Sequence, residues 1–202
     1  MHTKMCKNAA QQQTSPMNRS RSRNVKCLHL AGPILGMCLS MPTAAEITLG
    51  HPLPLIQLEG DSGGHLDGTS WNSNSLSKKL HILMYVDPDE VQVNAHVEDA
   101  LAEQGFDREK VGSVAVINMA ATWKPNFVIE MILKKKQEKY PHTLYLRDLR
   151  GEMVSKWGLV DNSYHVLLVG HQGEALFSAG DALSKEQVRE LISIINQRLS
   201  TP

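Results

Sequence analysis

The run LHILMYV, Leu80–Val86, constrains the fold more than any other stretch. It is almost continuously apolar. A strand with one wet face alternates polar and apolar residues; a strand covered on both faces does not. Leu80–Val86 is therefore expected at the centre of a sheet with layers above and below it. The run breaks at Asp87-Pro88 and continues as DEVQVNAHVEDALAE, with Val93, Val97, Ala100 and Leu101 at helical spacing. This predicts a helix over Asp89–Glu103, with Asp87 or Asp89 as its cap, acids in its first turn and Gly105 as its stop. A strand that feeds a helix N-terminus presents outward N–H groups and the positive end of the helix dipole, a common seat for a reactive group. Here the turn offers Asp87, Asp89 and Glu90, and no nucleophile.

The other elements follow the same logic. SVAVIN, Ser113–Asn118, is a second buried strand. Phe127–Tyr140 is a second helix, with a broad apolar face of Phe127, Ile129, Met131, Ile132 and Leu133 before KKKQEK; Pro141 ends it. Thr143–Leu146 is a short strand and Gly151–Trp157 a short helix. YHVLLV, Tyr164–Val169, the turn GHQG, Gly170–Gly173, and Ala175–Ser178 form a hairpin. The last helix has Ser184 as cap, Gln187 completing a capping box, and one stripe of Val188, Leu191, Ile192, Ile195 and Leu199. Earlier in the chain, Leu53–Leu58 alternates as a strand does. Asp61–Ser75, rich in Gly, Ser, Asn and Asp, reads as loop.

The order is β, β, α, β, α, β, α, β, β, α. Strands alternating with helices imply a mixed central sheet with helices on both faces. The right-handed crossover makes Leu80–Val86 and Ser113–Asn118 parallel neighbours, and the hairpin adds an antiparallel edge. This is the outline of a thioredoxin-like α/β sandwich, expected as a single domain over residues 46–202.

Residues 1–45 are a different object. They hold six of the 21 basic residues (Lys4, Lys7, Arg19, Arg21, Arg23, Lys26) and none of the 21 acidic ones, so the formal balance of zero hides a basic leader and an acidic body. The leader reads as a secretory signal peptide: a basic n-region to Lys26, an apolar h-region Cys27–Met41, then PTAA with small Thr43 and Ala45 before the cut. Cleavage is expected after Ala45. Gly32, Pro33 and Gly36 interrupt the h-region, which is short for a membrane span. Met1, Met5 and Met17 are all available starts, and Met17 would open the more ordinary MNRSRSRNVK. A lipoprotein reading at Leu35-Gly36-Met37-Cys38 is disfavoured by bulky Met37. Cys6, Cys27 and Cys38 are the three cysteines, so none remains after the cut. The remaining chain would lack a disulfide, a thiol nucleophile and a thiolate metal ligand.

Several segments resemble known proteins. GHPLPLIQLEG, Gly50–Gly60, is similar to the opening segment of peroxiredoxin-like and TlpA-like thioredoxin-fold proteins. VLLVGHQGEALFSAG, Val166–Gly180, is similar to their closing hairpin. SWNSNSLSKKLHILMYV (70–86), KYPHTLYLRDLRGEMVSKW (139–157) and GDALSKEQV (180–188) resemble the YtfJ family, over nearly all of residues 46–200. That resemblance implies a small exported protein of a Gram-negative periplasm with a thioredoxin-like fold; it implies no reaction. Active thioredoxin-fold enzymes carry a CxxC or a peroxidatic cysteine where this chain reads DPDEVQVN, 87–94. They also carry a cis-proline where it reads Asn162-Ser163-Tyr164. Thiol–disulfide exchange needs a thiolate, so no thiol redox activity is expected.

The candidate binding surface is the degenerate active-site turn, Asp87, Asp89 and Glu90, with Asn162, Ser163 and Tyr164. No catalytic residue, cofactor or metal site is assigned. His51, Asp61, His65 and Asp67 are weighed as a metal-handling group against simple loop solvation. The seven histidines after residue 45 form no HExxH motif, and His165 is expected to make a structural hydrogen bond in its strand. Lys134, Lys135 and Lys136 read as a solvated helix face, not a nucleic-acid site. Trp71, Trp123 and Trp157 are either binding anchors or core; Trp157 is expected in the core. AATWKPN, Ala120–Asn126, is expected as an exposed loop because Pro125 cannot extend a strand. Three functions follow in order: a module that binds a periplasmic protein or peptide, an enzyme of thiol-independent chemistry, and a metal-handling protein.

Overall fold

A computed structural model describes residues 46–200. The expected leader and its cleavage after Ala45 lie outside the described residues. The main sheet has six strands in the order β2 (Gly63–His65), β6 (Thr143–Asp148), β5 (Val111–Asn118), β4 (Leu80–Val86), β7 (Tyr164–Val169), β8 (Ala175–Gly180). β4 is flanked by parallel β5 and antiparallel β7. β6 pairs parallel with β5, and β8 closes the hairpin with β7. The apolar run thus occupies the centre of the sheet for the reason given above. The fold is a thioredoxin-like mixed sandwich.

Connectivity decides which face each helix covers. α1 (Ala95–Glu103) joins β4 to β5 and α2 (Asn126–Lys139) joins β5 to β6. Both steps run in one direction along the sheet, so right-handed crossovers put both helices on one face. α4 (Lys185–Ser200) joins them there: Val97, Ile129, Leu133, Val188, Leu191 and Ile195 share a core with Ile82, Ile117 and Val166. Burying Val188, Leu191 and Ile195 stabilises the docked α4 by about 5–8 kcal/mol before entropy is counted. Its capping box forms as predicted: Gln187 N–H donates to Ser184 Oγ, and Ser184 N–H to Gln187 Oε1. The opposite face is covered by α3 (Glu152–Trp157) and a small antiparallel sheet of β1 (Gln57–Leu58) and β3 (Trp71–Asn72). Trp157 is buried there and donates Nε1–H to Pro54 O at 2.7 Å.

Three expectations need correction. The strand expected over Leu53–Leu58 shrinks to β1, because Pro52 and Pro54 bring no N–H to a ladder. Residues 61–75, expected as loop, contain β2 (Gly63–His65), which extends the main sheet beside β6, and β3. Gly63 and Gly64 make this edge possible. At φ 125° and 123° they sit in glycine territory, and a Cβ at either would strike the backbone carbonyl of Arg147 or Thr69. Finally, α2 buries only Ile129 and Leu133, one i,i+4 stripe; Phe127, Met131 and Ile132 are exposed. A single sheet below the helix covers one stripe, and among the described residues no second layer lies above it. Among the described residues no helix is long and apolar enough to cross a membrane.

Candidate functional site

The strand–helix junction differs from its prediction. α1 begins at Ala95, and residues 88–94 form successive turns, with Glu90 N–H donating to Asp87 O and Val93 N–H to Glu90 O. Neither Asp87 nor Asp89 caps the helix. Asp87 Oδ1 instead accepts from Asp89 N–H at 2.8 Å, a local side-chain turn that competes with helix formation. The residue at the cap position is Asn94, fully buried, and its amide is committed elsewhere. Its Nδ2 donates to Asp181 O at 2.8 Å, and its Oδ1 accepts from Leu183 N–H at 2.9 Å. These bonds pin the turn segment to the β8–α4 connection and delay the helix start.

Asp89 is held from the β5–α2 loop. Lys124 Nζ pairs with Asp89 Oδ1, and Thr122 Oγ1 donates to Asp89 Oδ2 at 2.7 Å. These two donors, Lys124 first, keep the Asp89 carboxyl below its ordinary value. Asp87 behaves oppositely. Burial pushes its carboxyl up, Asp89 and Asp161 push it further, and the Asp89 N–H and Lys124 oppose them. Among the described residues no histidine hydrogen-bonds to Asp87, Asp89 or Glu90. His81, His96 and His165 bond instead to Leu76 O, Leu183 O and Ser178 Oγ. The predicted structural role of His165 is thus present.

The second half of the predicted surface meets the first at one point. Asp87 N–H donates to Ser163 O at 2.9 Å, extending the β4–β7 ladder, and Ser163 Oγ donates to Asp181 Oδ1 at 2.7 Å. Asn162 is exposed, in the left-handed region at φ 53°. Tyr164 does not face this surface: it is buried in the helix-side core, and its hydroxyl donates to Glu98 Oε1 at 2.8 Å. Glu90 joins the turn through its backbone.

Sequence reasoning missed a polar row just beyond the strands. Register and alternation place Asp87, Asn118 and Asp148 side by side at the C-terminal ends of β4, β5 and β6, on the face that carries Tyr85. Asp148, with no exposed surface, accepts from Tyr85 Oη, from the N–H groups of Glu152 and Met153 at the start of α3, and from Arg150 N–H. Burial, then Asp148, then Asp161 and Asp87 drive the Tyr85 hydroxyl far above its ordinary value. Asn118 Nδ2 donates to Asp161 Oδ1 at 2.8 Å. One signal was available in the sequence: a polar residue closes each of the runs LHILMYV, SVAVIN and TLYLR. The carboxyl ends of parallel strands are where α/β sheets place their ligands.

Beside the turn lies apolar surface. Trp123 stands between the two residues that hold Asp89 and is 86% exposed. Phe127 (69%) and Met131 (52%) continue from it along the outer face of α2. The exposed loop expected at 120–126 is present over 120–125, with Ala120, Trp123 and Pro125 exposed and Ala121, Thr122 and Lys124 half-buried; Asn126 already opens α2, and Trp157 and Trp71 are core. The histidine–aspartate group of the early segment does not assemble. Asp61 pairs with Arg150, Asp67 accepts from Thr69, and among the described residues no three His, Cys, Asp or Glu side chains converge as for a metal.

The family model YtfJ_HI0045, "Bacterial protein of unknown function", matches residues 58–198. The chain is 20% identical over 173 residues to "Uncharacterized protein YtfJ" of Escherichia coli (strain K12), covering 80% of this chain and 94% of that protein. Among solved structures it is similar to a thiol peroxidase from Chromobacterium violaceum, with TM-score 0.54 and 13% identity over 76% of this chain and 90% of that one. It is also similar to a Neisseria meningitidis protein assigned to the thioredoxins, with TM-score 0.51 and 13% identity over 74% and 93%. At such identities these structures speak for the fold alone.

Proposed function

We propose, for a chain that belongs to the YtfJ family, an exported periplasmic binding module that has kept the thioredoxin frame and given up thiol chemistry. The premise from the sequence is that Cys38 is the last cysteine, so a chain cut after Ala45 holds no thiolate to exchange. The observation that carries the reading is the exposed strip Trp123–Phe127–Met131 beside the Asp89–Lys124 pair, where the old active-site turn stands. An aromatic anchor rimmed by charge is what protein and peptide partners bury. Asp87, Asp89, Glu90, Asn162 and Ser163 would form the polar border of that surface; Tyr164 supports it from the core. The enzyme alternative is weakened because, among the described residues, no histidine hydrogen-bonds to the acids of the turn.

The test is in-cell photo-crosslinking from the Trp123 position, with Arg189 on α4 as a distant control. A discrete adduct from position 123, lost in Phe127→Ala and in Asp87→Ala/Asp89→Ala/Glu90→Ala but absent from position 189, is the expected result. Adducts unchanged by both variants would remove this surface as the binding face. N-terminal sequencing of the periplasmic fraction checks export, with Glu46 as the expected first residue.

A further inference from the structure

The polar row at the strand ends is short of positive charge. Asp87, Asn118 and Asp148 stand in line, and Asp161 closes the row from the α3–β7 loop. Asp148 is saturated by its four donors. Asp87 and Asp161 are not. One oxygen of each, Oδ1, accepts hydrogen bonds (from Asp89 N–H, and from Asn118 Nδ2 and Asn162 N–H respectively), and Oδ2 of each accepts none among the described residues. Between them lies Asn118, 1% exposed, with its Oδ1 buried and without a partner. Exchanging the amide oxygen and nitrogen would not repair this. It would turn the oxygen toward Asp161 Oδ1 and lose the only bond the amide makes. A buried orphan acceptor costs about 1–3 kcal/mol if nothing fills its lone pairs. Asn118 is next to Asp87 by strand register and bonded to Asp161, and each of those two acids has one unfilled carboxylate oxygen. Lys124, bonded nearby, is engaged with Asp89.

We propose that Asp87 Oδ2, Asn118 Oδ1 and Asp161 Oδ2 form the protein side of a site for a hard divalent cation, calcium or magnesium, with water completing its shell. The donor set is oxygen only, which suits these ions and not the nitrogen- and sulfur-seeking metals. Two carboxylates and one amide make a weak site, with a dissociation constant of about 0.1–1 mM. The ion would bridge β4, β5 and the α3–β7 loop, and so brace the junction from below. The site shares only Asp87 with the border of the proposed binding surface; Asn118 and Asp161 lie outside that border, so Asp161→Asn tests the cation site separately from the peptide-binding reading.

The experiment uses the full chain, freed of metal with EDTA and dialysed. CaCl2 and MgCl2 are titrated separately by calorimetry, and in parallel by 1H–15N spectra that follow the Asn118 side-chain amide. Asp161→Asn tests the rim: it keeps an acceptor for Asn118 and sits on an exposed residue, so the fold is retained. Asp99→Asn, an exposed acid on α1, controls for bulk charge. One saturable equivalent of either ion, a moving Asn118 amide, about tenfold weaker binding in Asp161→Asn and no change in Asp99→Asn are expected. Absence of saturable binding by both ions, an unmoved Asn118 amide, or equal binding in Asp161→Asn and wild type would each overturn the proposal.

Discussion

Asp148→Ala tests the buried hub on which α3 and the central strand depend. The wild-type carboxylate has no exposed surface and accepts from Tyr85 Oη at 3.1 Å, Glu152 N–H at 2.9 Å, Met153 N–H at 2.9 Å and Arg150 N–H at 3.3 Å. Alanine leaves the Tyr85 hydroxyl buried without an acceptor, at about 1–3 kcal/mol. It also removes the side-chain acceptor from the first turn of α3, a loss of the same kind as a deleted N-cap, about 1 kcal/mol. The expected total is about 3 kcal/mol, a large share of the 5–15 kcal/mol (roughly) typical of a domain, yet compatible with folding. Tyr85→Phe removes one bond and strands no donor, so it should cost about 1 kcal/mol. In the double variant the orphaned hydroxyl is gone and the lost bond counts once, so the cost should fall short of the sum by about 2–3 kcal/mol. Urea unfolding followed by tryptophan fluorescence reads all three, since Trp157 ends α3 and is buried. If Asp148→Ala costs no more than Tyr85→Phe, the carboxylate does not hold the start of α3 and the account of the hub fails.

Two further outcomes are expected. Burial lowers the His165 imidazole to about 4, with Asp181 opposing. A histidine depressed in the fold is neutral there, so its stabilising contribution is complete above the unfolded value near 6.5. It is lost as pH falls from there towards 4, by up to about 3 kcal/mol. Urea midpoints at pH 7 and pH 5 should therefore differ less in His165→Gln than in wild type; an unchanged difference would refute the assignment. On α2, Ile129→Ala and Leu133→Ala should each cost about 2–5 kcal/mol, whereas Phe127→Ala should stay within about 0.5 kcal/mol. Equal costs at 129 and 127 would mean that α2 is docked on a different stripe.

Much of the fold was legible because its strongest signals are local. Leu80–Val86 could only be a doubly covered strand. Ser184, Gln187 and the Val188–Ile195 stripe specify α4 through one cap and one spacing. The missed β2 edge has no apolar pattern: Gly63-Gly64-His65 becomes a strand only because β6 offers an unpaired ladder beside it. The breadth of α2's apolar face misled for a related reason. Periodicity counts apolar residues, and the number of layers available to bury them is a property of the whole sandwich.

The candidate site divides the same way. The acids of the turn and the lack of a thiol after Cys38 are visible in the sequence. The late start of α1 is not, because it depends on bonds from Asn94 to Asp181 and Leu183, almost ninety residues away. Nor does the sequence bring Asp87, Asn118, Asp148 and Asp161 together; strand register and one loop do that. Composition and short-range spacing determined which segments become strands and helices, since backbone hydrogen bonding and one-sided burial act over a few residues. Only the tertiary structure decided which polar groups share an environment, because burial and charge are set by neighbours that the chain brings from far along its length.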